Sequence, residues 1–206
     1  MIPNGLDIKR YPFIYRDSIK PNLFWLRAFH HTYNPALAVQ VVAKLKVDFP
    51  GVNLIMTGPD KGDGSLQQTM TLAGSLKVND SINFAGKVEK SSVPGYLNRG
   101  DIFINTTNFD NTPISVIEAM ACGLCIISTN VGGLPYLLED GVDALLVPPN
   151  DSEAMAAAIR RVLTERGLAE KLSSTARKKA EQFDWSVVLP LLERLFEEII
   201  EKSHNE

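Results

Sequence analysis

The chain has 206 residues, the size of one large domain. Apolar residues make up 45% and charged residues 22%, and 21 Lys plus Arg against 24 Asp plus Glu leave a formal charge of −3; that is an ordinary globular balance, unlike a basic nucleic-acid binder or a polyacidic tail. No run reaches the roughly 18 apolar residues of a membrane span, the opening MIPNGLDIKR is not a secretory signal, and two cysteines argue against a disulfide scaffold. The expectation is a soluble cytoplasmic protein, one domain over residues 1–206, with no nucleic-acid partner and no transmembrane segment.

Short continuous runs rich in Ile, Val and Phe predict strands at 23–26, 52–57, 82–85, 101–106, 124–129 and 144–147. Such runs suit strands buried on both faces. Between them, Leu37, Val41, Leu45 and Phe49 form one helical stripe over 35–49. Further helical spacings follow at 63–76, 92–98, 113–122 and 134–139. Alternation of this kind predicts right-handed βαβ crossovers. The fold class is therefore α/β, a Rossmann-like parallel sheet of about six strands with helices on both faces. After 147 the pattern is all helix. Asn150-Asp151-Ser152-Glu153 resembles a cap before Met155, Ile159 and Val162, a second helix covers 168–182, and a third, with Asp184 or Ser186 as its cap, runs to about 202. Pro190 belongs in the first turn of that last helix or kinks it. Its charged side reads as solvated, opposite Leu192, Phe196 and Ile199.

In an open parallel sheet, ligands bind where the carboxyl ends of the strands meet the loops. The polar and Gly/Pro-rich stretches collect there, and NTTNFDNTPISVIEAMACG (105–123) is the most informative. Thr112 reads as the cap of a helix whose first residue is Pro113. The free amides of Ile114, Ser115 and Val116 then attract phosphate, through unpaired donors and the helix dipole. Glu118 follows in apolar company, where a carboxylate needs a hydrogen-bonding partner. Asp110 precedes it by eight residues. Two acids flanking such a helix end suit a ligand with phosphates and hydroxyls, and a carboxylate accepting vicinal hydroxyls is the usual grip on a ribose.

Asp110-x7-Glu118 within DNTPISVIEAMACG, followed in order by ISTNVGGLPYLLEDGVDALLVPPND and FDW, resembles the C-terminal, donor-binding half of a family 4 (group 1) retaining glycosyltransferase of the two-domain GT-B architecture. Asn4-Gly5-Leu6-Asp7 is similar to that family's inter-domain linker. The resemblance implies a nucleoside-diphosphate-sugar donor of the UDP or GDP type, no cofactor, metal-independent transfer, and an N-terminal acceptor domain absent from this chain. It assigns Glu118 to the ribose, Asp110 (in place of the usual Glu) to the transferred sugar, and Ile114, Ser115 and Val116 to the diphosphate. Arg27 aligns with the arginine that neutralises the departing phosphates. Tyr33-Asn34-Pro35 stands where a lysine is usual, which makes Lys61 the substitute cation. Gly58 and the turn of Gly86 to Val88 would line the nucleotide and base. The isolated chain would bind donor and transfer poorly or not at all, with an exposed apolar patch facing the missing domain.

Bland alternatives accompany each assignment: a solvated Glu118, an Asx turn at Asp110, a surface Arg27. Cys122 and Cys125 mimic a redox pair but read as core, because a helix C-terminus disfavours thiolate. His30-His31 reads as no metal site, since neighbours on an extended chain point apart and the third histidine is distant His204. A non-catalytic nucleotide-sugar-binding module, or a fragment of a GT-B UDP-sugar 2-epimerase, are the alternative functions.

Overall fold

The computed structural model describes residues 4–204, with side chains as far as Ile200. Strands β1 (Asn22–Leu26), β2 (Asn53–Thr57), β3 (Ile82–Gly86), β4 (Ile102–Asn105), β5 (Cys125–Thr129) and β6 (Ala144–Val147) form one sheet in the order β3-β2-β1-β4-β5-β6. Every pairing is parallel. The helices are α1 (Pro35–Leu45), α2 (Ser65–Ser75), α3 (Val93–Leu97), α4 (Ile114–Cys122), α5 (Leu134–Leu137), α6 (Ser152–Thr164), α7 (Leu168–Ala180) and α8 (Trp185–His204). All six anticipated strands are present, and none of the described helices is long and apolar enough to cross a membrane.

Alternation along the strands sorts their side chains into two cores. Leu23 and Trp25 pack with α1 and α6, whereas Phe24 and Phe103 pack with α3 and α4 on the opposite face. The strand order reverses between β1 and β4. Loops leaving the carboxyl ends of these two strands therefore diverge and open a crevice at that edge.

Helix α4 lies under the crevice, with every residue from Ser115 to Cys122 buried. Buried carbonyls at its C-terminus need donors. Arg16 Nη1 donates to Cys122 O at 2.8 Å, Arg177 Nη1 to Ala121 O at 2.6 Å, and Ser173 Oγ to Gly123 O at 2.6 Å. The two cations also complement the negative end of the helix dipole. Arg16, 2% exposed, donates further to Ile14 O and Gly100 O at 2.8 Å each.

The caps at 151 and at α8 follow sequence expectation in part. Asp151 accepts from the Ala154 N–H at 2.8 Å. Asp184 accepts from the Ser186 N–H at 2.9 Å and from the Ile8 N–H at 3.1 Å, which fastens the first described residues to the start of α8. Pro190 lies inside α8, beyond its first turn. The anticipated burial of Leu192, Phe196 and Ile199 is not found: Leu192 is half-buried, and Phe196 and Ile199 are 59% and 53% exposed. Past Val188 (1% exposed), most of the described side chains of α8 are exposed, so the domain does not cover its apolar side. Glu201, Lys202 and His204 lie outside the described side chains.

Arg16→Ala should remove a donor from the buried carbonyls of Cys122 and Gly100 and from the part-buried carbonyl of Ile14. The expected loss is about 3–5 kcal/mol of unfolding free energy in urea, and a loss under about 1 kcal/mol would contradict the role given to this side chain.

Candidate functional site

Arg27 is the first residue after β1, and its guanidinium reaches across the crevice to the loop entering α4. There it forms an ion pair with Asp110, both side chains 15% exposed. Its Nη1 lies 3.5 Å from Ser115 Oγ, and its Cζ sits 4.3 Å from the centre of the Tyr33 ring. Burial pulls the guanidinium below its ordinary value, and contact with Tyr33 pulls it back. Two residues expected to serve phosphate and sugar separately are thus bonded to one another.

The loop carrying Asp110 is held by the GG-x-P turn. The Gly133 N–H donates to Asp110 O at 2.8 Å. Gly132 has φ +56°, and a Cβ on it would overlap that same carbonyl oxygen, so the close approach requires glycine.

The start of α4 differs from expectation in two respects. Pro113, with extended ψ of 119°, is itself the cap and Ile114 the first helical residue; no side chain caps the helix, so Thr112 has no such role. The fixed φ of proline suits that position as well as the first helical one. The Val116 N–H is also not free, because it donates to Pro113 O at 3.1 Å in a tightened first turn. Among the described residues, the amides of Ile114 and Ser115 have no protein acceptor. They point to the same crevice edge as Arg27.

Glu118 lies four residues deeper, 6% exposed. Its Oε1 accepts a 2.6 Å hydrogen bond from the hydroxyl of Tyr11, and no described group donates to Oε2. Burial pushes the carboxyl above its ordinary 4.5, while the Tyr11 hydroxyl and the charge of Lys90 draw it down. Tyr11, itself 4% exposed, was not anticipated as part of this site.

Gly58 and Gly86 come together across β2 and β3. The Gly58 N–H donates to Gly86 O at 2.9 Å, and Thr57 Oγ1 donates to the same oxygen at 2.6 Å. Gly58 has φ +151°, and a Cβ there would overlap the Arg27 carbonyl oxygen. Val88, half-buried, packs against the core on the side of Phe24 and Phe103. Lys61 is exposed on the neighbouring loop; its N–H donates to Phe29 O at 3.2 Å, and no contact joins its ammonium to Arg27.

Cys122 and Cys125 are fully buried, and burial pushes both thiols up to about 12, as expected of core residues. The divergence expected of His30 and His31 is not found. His30 is extended but His31 opens a 3-10 turn, and their ring centroids lie 4.0 Å apart.

A family model described as glycosyl transferases group 1 matches residues 15–179. The chain belongs to this family. The group 1 chain is 26% identical over 204 residues to phosphatidyl-myo-inositol mannosyltransferase of Mycolicibacterium smegmatis, covering 96% of itself and 51% of that protein. It superposes on sucrose-phosphate synthase from Thermosynechococcus elongatus with a TM-score of 0.85 at 21% identity, covering 98% of itself and 52% of that chain. HepE of Anabaena, solved in complex with UDP-glucose, matches with a TM-score of 0.84 at 20% identity, over 97% and 57% of the two chains. The chain spans about half the length, or less, of the curated relatives it matches.

Glu118 carries a pH signature. Its folded-state pKa lies above the ordinary value, so the folded chain holds the proton more tightly than the unfolded one. Stability is then greatest at low pH and declines as pH rises through the raised value. Glu118→Gln keeps the acceptor for Tyr11 and removes the charge. Urea unfolding between about pH 4 and pH 7 should show the variant gaining on the wild type as pH rises; parallel profiles would contradict a buried, raised Glu118.

Proposed function

We propose that the chain is the donor-binding domain of a glycosyltransferase that moves a sugar from a nucleoside diphosphate sugar, UDP or GDP type, to an acceptor hydroxyl with retention of configuration. The reading is carried by one juxtaposition: free amides of Ile114 and Ser115 beside the Arg27 guanidinium, with buried Glu118 four residues further along the same helix. A diphosphate at the helix end would meet both amides and the positive end of the dipole. A ribose beyond it would donate its hydroxyls to Glu118 Oε2. The paired turns of Gly58 and of Gly86 to Val88 would take the base, where small residues allow the backbone to approach.

As the bond between sugar and phosphate breaks, negative charge grows on the leaving diphosphate. Preformed donors aimed at that charge lower the barrier without rearranging, so in this reading the helix end and Arg27 suffice and transfer needs no metal. In the free domain Asp110 neutralises Arg27; bound donor exchanges the carboxylate for a phosphate and leaves Asp110 to orient the sugar hydroxyls. Lys61, exposed and on the adjacent loop, is the second cation of this reading. HepE with its bound UDP-glucose supports the donor class.

Acceptor groups would come from a second, N-terminal domain. The half-length match and the exposed apolar residues of α8, Phe109 and Ile114 support this. Alone, the domain would bind donor and transfer little.

Calorimetry against UDP, GDP and ADP and their sugar conjugates tests the reading. One nucleotide should bind. Glu118→Ala should weaken free and sugar-linked nucleotide alike, by about tenfold, the scale of one lost charged hydrogen bond, and Asp110→Asn should weaken the sugar conjugate more than the free nucleotide. No binding at millimolar concentration would overturn the proposal, and equal losses in Asp110→Asn would overturn the sugar role.

A further inference from the structure

The loops after β1 and β2 carry a cluster that no step of the proposed transfer uses. His31 Nδ1 lies 3.2 Å from Asp63 Oδ2, and His30 Nε2 lies 3.8 Å from the same oxygen. All three atoms lie within 4.8 Å of one another. We propose that His30, His31 and Asp63 form a binding site for a divalent transition metal of the zinc class, joining the two loops.

Four ligands at bond lengths of about 2.0–2.1 Å around a tetrahedral ion lie about 3.3 Å apart. The two measured edges lie within about half an ångström of that spacing, and the third, between the two imidazole nitrogens, is no longer than 4.8 Å. Two imidazole nitrogens and one carboxylate select zinc, cobalt or nickel over magnesium and calcium, which prefer all-oxygen shells. With three protein ligands, one coordination position stays open.

The surroundings fit this donor set. His30 Nδ1 stands 3.0 Å from Thr32 Oγ1. The same Nδ1 accepts the Thr32 N–H at 3.3 Å, so a metal at Nε2 would require the ring proton to move to Nδ1, keeping the contact with Thr32 Oγ1 as an outer partner and giving up the bond from the Thr32 N–H. Asp63 is oriented by the His31 N–H at 2.8 Å and the Ser65 N–H at 3.0 Å. The sequence neighbours face one way because His30 is extended and His31 begins a 3-10 turn. Tyr33 stands between this cluster and Arg27, its ring centre 6.3 Å from that of His30 and 4.3 Å from Arg27 Cζ. The metal site and the nucleotide site are therefore neighbours on one edge of the sheet, yet share no ligand.

The test uses the tag-free chain and metal alone, so its outcome does not depend on nucleotide binding. Titration with Co2+ should give one equivalent with the visible absorption bands of a tetrahedral site, and Zn2+ should displace it and raise the thermal midpoint. His31→Ala, at a 77% exposed side chain that the fold does not need, and His30→Gln should each weaken Zn2+ by about tenfold or more, the least that disturbing such a site costs. His204→Ala should bind as the wild type does. Absence of saturable binding, unchanged affinity in His30→Gln and His31→Ala, or loss of binding in His204→Ala would each overturn the proposal.

Discussion

The direction of α4 is the constraint on which the rest depends. The helix is buried from Ser115 to Cys122, so its C-terminal carbonyls need protein donors, whereas its first residue, Ile114, is exposed. The fold resolves the two ends oppositely. Arg16, Arg177 and Ser173 close the C-terminal carbonyls, whereas nothing among the described residues closes the amides of Ile114 and Ser115. A helix with one end bonded and the other left open presents its positive pole to the crevice between β1 and β4. The sheet order decides where that crevice lies, and the close approach of Gly132 and Gly133 holds the Asp110 loop beside it.

Around this open end the charged groups stand in a state that suits exchange. Arg27 is largely buried and already paired with Asp110, so it is neutralised without ligand yet near the helix end where an anion would compete for it. Glu118 is buried with one oxygen fixed by Tyr11 and the other unclaimed, at a cost in stability that grows with pH. A buried carboxylate with one unclaimed oxygen beside an open helix end is the pattern expected of a binding site.

Much of this was readable from residue patterns. The strands were marked because each is a short, continuous apolar run, and the start of α4 because proline is confined to a helix's opening residues. What could not be read has a common physical cause. The bond between Tyr11 and Glu118 joins residues 107 positions apart, and no local signal in NGLDIKRYPF marks the tyrosine as a partner of that carboxylate. The pairing of Arg27 with Asp110 likewise requires knowing which loops meet. Local conformation misled at His30-His31, where one 3-10 residue turned two diverging rings into neighbours. At α8 the amphipathic pattern was real, but the domain does not cover its apolar side.

The central claim is that the open end of α4 is where a diphosphate binds. Amide chemical shifts of the 15N-labelled chain, titrated with UDP or GDP and in parallel with the matching nucleoside, test it directly. The account predicts that the diphosphate moves the Ile114 and Ser115 amide resonances most, and that the nucleoside leaves those two nearly unchanged. Equal shifts from nucleoside and diphosphate, or shifts centred away from Ile114 and Ser115, would contradict it.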